Sequence, residues 1–244
     1  MKNIKLTIEY DGTNYCGWQK QTGLKTVEEE VEKAIFKSTG KRVKLYASGR
    51  TDAGVHAYGQ VANFRIESTI PGDRFIYPLN DKLPDDISVK KSEEVEDDFH
   101  SRYSAKSKTY RYLVYQSKIR SALLRNRAYH FSYELDIQKM KRALEYLVGR
   151  MDYSSFTPIK SNINKNIRTI YSADVFREAE YIVFEISGNG FLHNMVRIIV
   201  GTVLDIGNGH RRVEDMKDII EKKDRLSAGK TVPAYGLYLK RVEY

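Results

Sequence analysis

An α+β fold with a mainly antiparallel sheet is predicted for this 244-residue chain. Segments of period-two and of helical spacing alternate along it irregularly, not in regular strand–helix–strand repeats. Several strand pairs are separated only by short turns, too short for the crossovers of a parallel sheet. No low-complexity linker breaks the chain, which is long enough to bury a large core as one domain or two small ones. The second half repeats the mixture of the first more loosely. Residues 1–104 and 105–244 could be two similar α+β halves meeting across a cleft, although the letter-by-letter repetition is too weak to show it.

The elements follow in order. Ile4, Leu6, Ile8 and Tyr10 mark a first strand that ends at Asp11-Gly12-Thr13-Asn14. A helix comes next: Thr26 and Glu29 are spaced as a capping box, and Leu24, Val27, Val31, Ala34 and Ile35 fall at helical intervals. Val43, Leu45 and Ala47 alternate with cations and tyrosine, and 61–66 alternates in part, so both read as strands. A short helix near Asp73–Asn80 and a strand near Ile87–Lys91 complete the first half. In the second half, strands are expected at Lys108–Gln116, Ile167–Phe176 and Tyr181–Ser187. Helices are expected at Asp136–Val148, Phe191–Leu204 and Val213–Lys222, before a closing strand at Leu237–Val242.

Charge and composition narrow the function. Lys+Arg 41 against Asp+Glu 32 leaves +9, which favours a polyanionic partner. The cations are scattered among tyrosines and small polar residues, not gathered in a tail. Eighteen tyrosines could stack on unpaired bases, although most suit strands equally well. A single cysteine, Cys16, excludes an intramolecular disulfide and fits a reducing compartment. The alternating N-terminus is no signal peptide, and no apolar stretch approaches a membrane span. A soluble, cytoplasmic protein is expected.

Some motifs mimic known chemistry. Asp11-Gly12-Thr13 after a strand has the look of an aspartyl phosphatase loop but lacks the second aspartate. Ser227-Ala228-Gly229-Lys230-Thr231 ends like a P-loop, yet Asp224 replaces its first glycine and Pro233 interrupts any following helix. Gly188-Asn189-Gly190 lacks the third glycine of a dinucleotide site, where His193 stands. The five histidines show no ligand spacing, so no metal is expected.

What remains is a carboxylate. Gly49-Arg50-Thr51-Asp52-Ala53-Gly54-Val55-His56 sets Asp52 two positions from Arg50 in a glycine-bounded loop between strands. By itself, such an aspartate could merely bond its own backbone in an Asx-type turn. Arg197 lies within Phe191–Val200, which is apolar almost all round, so it is expected to be buried and to require an anion: a carboxylate or a set of carbonyls. Pairing with Asp52 would aim that carboxylate and keep it ionised. In Lys108–Tyr115, alternation puts Tyr110 on one face with Tyr112 and Val114, where a ring at a cleft edge could stack on a base.

Together these segments resemble the tRNA pseudouridine synthase A family nearly end to end. Tyr10–Thr13 with Gly17–Gln21 is similar to its opening motif, and Gly49–Ala57 matches its active-site motif at every position. Phe99–Arg102 with Lys108–Tyr112 resembles the second motif and Phe191–Arg197 the third. Gly236–Leu239 with Val242–Tyr244 resembles the ending. Lys108 stands where arginine is commoner, Thr231–Pro233 departs from the usual alanine-proline stretch, and Met151–Thr169 is less typical.

The resemblance implies two ferredoxin-like or RNA-recognition-like halves whose sheets join around a central active-site cleft. It implies conversion of uridine to pseudouridine at positions 38, 39 and 40 of the tRNA anticodon stem-loop. Asp52 would be catalytic. Arg50 would take the space of the flipped nucleotide, Tyr110 would pack on the uracil, and Arg197 would hold Asp52. No cofactor, metal or membrane is implied, and a homodimer is. Two other readings stay open: a non-catalytic RNA-binding protein of the same architecture, and a phosphatase dependent on Asp11.

Overall fold

The computed structural model describes residues 1–158 and 166–244. These form two compact units, Met1–Lys106 with Tyr238–Tyr244, and Ser107–Leu237. The closing residues, assigned by sequence to the second half, thus belong to the first unit. No helix among the described residues is long and apolar enough to cross a membrane.

The first unit is built around β1 (Lys2–Tyr10), whose Ile4, Leu6 and Ile8 are fully buried on one face. β1 pairs antiparallel with β3 (His56–Ile66) on one side and β4 (Ile87–Val95) on the other. The two-residue β2 (Tyr46–Ala47) pairs antiparallel with β3 at Asn63 and Ala62. With α1 (Val27–Thr39) between β1 and β2, and α2 (Ile76–Asn80) between β3 and β4, the order β4–β1–β3–β2 is the ferredoxin-like arrangement. The other end of β3 pairs parallel with the chain's last strand, β10 (Leu237–Glu243), through Tyr238↔His56 and Leu239↔Ala57.

The expected capping box of α1 does not form. Thr26 is the N-cap residue, but its hydroxyl is buried and bonds nothing. The first helical N–H groups are already satisfied: Val27 N donates to Gly17 O (3.2 Å) and Glu28 N to Trp18 O (3.0 Å). The helix is anchored by the preceding loop in place of a side chain.

The sheet's other face is closed by residues 96–104. Asn3 Nδ2 donates to Glu96 O (2.9 Å) and Phe99 O (3.0 Å), and Asn63 Oδ1 accepts from Ser101 N (2.9 Å). Lys5 Nζ lies 5.3 Å and 5.1 Å from the ring centres of Phe99 and Tyr244.

The second unit has sheet order β5–β9–β8–β7, from β5 (Ser107–Gln116), β7 (Gly149–Asp152), β8 (Ile167–Glu178) and β9 (Tyr181–Gly188), all paired antiparallel. β6 (Tyr129–Phe131) pairs parallel with β5. Neither β6 nor β7 was expected; three and four residues are too few to show an alternation. Helices α3 (Ile137–Glu145), α4 (Met195–Gly207) and α5 (Asp215–Lys222) follow the expected order. Asp136 caps α3 by accepting from Lys139 N (3.0 Å). α3 and α4 approach closely enough that a side chain at Gly207 would meet Met140 Sδ at 2.6 Å. Of the atypical stretch Met151–Thr169, residues 159–165 lie outside those described.

Candidate active site

Asp52 opens a turn closed by Val55 N donating to Asp52 O (3.1 Å). The flanking Thr51 and Val55 are buried, whereas Asp52 is half-buried and Arg50 exposed. A carboxylate at a surface is thus carried between two anchored neighbours.

The anchors come from the segment after β1. Trp18 N donates to Thr51 O (3.1 Å), Gly54 N to Tyr15 O (3.3 Å) and Gly12 N to His56 Nδ1 (3.0 Å). The buried hydroxyls of Tyr10 and Thr51 are 2.7 Å apart. On the loop's entry side, Gln60 Nε2 donates to Gly49 O (3.0 Å) while its Oε1 accepts from Ser48 Oγ (2.7 Å).

Two glycines permit this contact. A side chain at Gly12 would meet Val55 O at 2.0 Å. Gly17 has φ +90°, and a side chain there would meet Thr51 O at 2.6 Å. The Asp11–Trp18 segment is therefore a backbone clamp on the Asp52 loop. Asp11 accepts from Thr13 N (3.0 Å) to cap a single 3-10 turn, and its Oδ1 also lies 3.2 Å from His56 Nδ1.

The sequence did not single out Tyr10, Trp18 or His56 as supports. Their signal was present in the match of Tyr10–Thr13 with Gly17–Gln21, and of Gly49–Ala57, to family motifs. The partner of each motif could not be read from either segment alone.

The second unit carries Tyr110 and Arg197. Tyr110 faces Ile186 across the β5–β9 ladder, and its half-buried ring meets Phe191 edge-on, with centres 5.1 Å apart at 83°. Phe191 precedes α4, which starts four residues later than expected.

Arg197 is not enclosed as its apolar neighbours suggested: it is half-buried, while Met195, Val196, Ile198 and Ile199 take the buried positions. Its Nε donates to Val232 O (2.8 Å) and its Nη1 to Asn194 Oδ1 (2.7 Å). These carbonyl and amide oxygens supply part of the negative environment expected around it. Asn194 itself takes a left-handed conformation, φ +59°. Asp52 and Arg50 thus lie in the first unit, Tyr110 and Arg197 in the second.

Comparison with known proteins adds a shared lineage. A family model described as tRNA pseudouridine synthase matches residues 6–104 and 143–244. The chain is 54% identical over 244 residues to the tRNA pseudouridine synthase A of Acetivibrio thermocellus and to that of Caldicellulosiruptor saccharolyticus, with both chains fully covered in each case. To the protein of the same name from Anoxybacillus flavithermus it is 49% identical over 245 residues, covering all of this chain and 99% of the other.

Proposed function

From the premise that the chain belongs to the tRNA pseudouridine synthase family, we propose that Asp52 is its catalytic carboxylate for the isomerisation of tRNA uridine to pseudouridine. The C1′–N1 bond breaks, the uracil turns, and C5 joins C1′ while the C5 proton passes to solvent and N1 gains one. The observation that supports Asp52 is its position on a turn clamped on both sides by the first unit's backbone. Fixed charge at the place where charge develops stabilises a transition state without reorganisation. The carboxylate serves attack on C1′ or C6, or removal of the 2′ proton on the way to a glycal.

The target base must leave its stack, at a cost of a few kcal/mol. Arg50, exposed two residues from Asp52, is proposed to occupy the space left by the nucleotide. Tyr110 is proposed to stack on the extruded uracil, a contact of about 1–3 kcal/mol. Arg197 is proposed to hold Asp52 for the reaction. The preferred targets are proposed to be positions 38, 39 and 40 of the anticodon arm, and the enzyme a homodimer. Light scattering on the purified protein tests the dimer, and product mapping in tRNA tests the positions.

The direct test uses tRNA carrying tritium at C5 of uridine. The protein is expected to release label to water, leaving pseudouridine in the RNA. Failure of the folded protein to release label from any of several tRNAs would contradict the proposal.

A further inference from the structure

One long stretch of the chain carries cations without carboxylates: residues 99–133 hold eight Lys or Arg and no Asp or Glu. Six of the eighteen tyrosines lie in the same stretch. Its most exposed part is the loop between β5 and β6, where Lys118, Arg120, Arg125 and Arg127 all face solvent.

Outside this loop, cations commonly meet carboxylates: Lys5 lies 2.7 Å from Glu93, Arg111 2.6 Å from Glu185 and Arg212 2.9 Å from Asp215. Among the described residues Lys118 and Arg120 make no ion pair, and Arg125 reaches only a backbone carbonyl, Ala122 O, at 3.3 Å. The loop nonetheless has defined anchors. Ser117 N donates to Phe131 O (3.1 Å), His130 Nε2 lies 2.7 Å from Ser117 O, and Arg127 N and Ala128 N both donate to Leu124 O. Exposed Ile119 and Leu123 stand among the cations.

We infer that the β5–β6 loop is a tRNA-binding arm that tracks the phosphate backbone through Lys118, Arg120 and Arg125. The inference rests on the tRNA reading above and extends it to a surface that no comparison assigns. Lys118, Arg120 and Arg125, held on an anchored loop and meeting no carboxylate among the described residues, suit a polyanion, and binding it releases condensed counterions. Such contacts set affinity and orientation without reading sequence.

The test compares the full-length protein with a variant carrying Lys118→Ala, Arg120→Ala and Arg125→Ala, and with a charge-conserving one carrying Lys118→Arg, Arg120→Lys and Arg125→Lys. For two to three lost phosphate contacts, tRNA affinity should fall about tenfold or more near physiological salt, and the slope of log K against log salt should fall by about two. In tritium release the loss should lie in KM for tRNA, and the charge-conserving variant should behave as wild type. Unchanged affinity and salt slope in the alanine variant would overturn the inference while wild-type release leaves the enzymatic reading intact. A shift in light-scattering mass on Ile119→Ser with Leu123→Ser, together with unchanged salt slope in the alanine variant, would make the loop a contact between copies and also overturn it.

Discussion

The hydroxyls of Tyr10 and Thr51 meet 2.7 Å apart in the buried interior of the first unit, one residue before Asp52. The end of β1 is thereby fastened to the loop that carries the carboxylate. In Tyr10→Phe, Thr51 Oγ1 loses this partner, at a cost of about 1–3 kcal/mol. Urea unfolding should show that loss, and tritium release should show a lower kcat with KM for tRNA little changed. A fall in stability with unchanged kcat would make the bond a support of the fold alone.

Gly17 and Gly23 separate crowding from backbone strain. Both have positive φ, +90° and +77°, but a side chain at Gly23 meets nothing within 4 Å. Gly23→Ala should cost about 1 kcal/mol and leave turnover intact. Gly17→Ala should cost more and slow tritium release, because its new methyl pushes on Thr51 O. Equal effects of the two on stability and turnover would refute the clamp.

Arg197→Lys replaces a fork that reaches Val232 O and Asn194 Oδ1 with a point charge. Turnover should fall by more than tRNA affinity does. Unchanged turnover would remove Arg197 from the reaction.

Buried phenols tie stability to pH on the alkaline side. Burial pushes Tyr153 up to about 12 and holds Tyr112 well above the ordinary value. Unfolded tyrosines ionise near pH 10, so above that pH the folded state binds more protons than the unfolded state. The contribution is fully present below pH 10 and is lost as pH rises towards 12. Urea midpoints at stepped pH should decline over this window and not below it, and Tyr153→Phe should make the decline shallower.

Much of the fold was legible because β1 and α1 each bury one face with the period of their own geometry. β6 and β7 were too short to leave a pattern, and the pairing of β10 with β3 joins residues more than 170 positions apart. The Asp52 turn could be read from its glycines and flanking strands. The clamp around it could not, since it consists largely of backbone bonds from a distant segment. Arg197 was misjudged in burial because uniform apolarity around a helix hides which side faces outward.

The most direct measurement is tritium release from C5-labelled tRNA by Asp52→Asn, alongside its tRNA affinity. The carboxamide retains the size of the side chain without its charge. Release should vanish while tRNA remains bound with near wild-type affinity. Continued release at the wild-type rate would contradict the role of Asp52 and with it the account of the site.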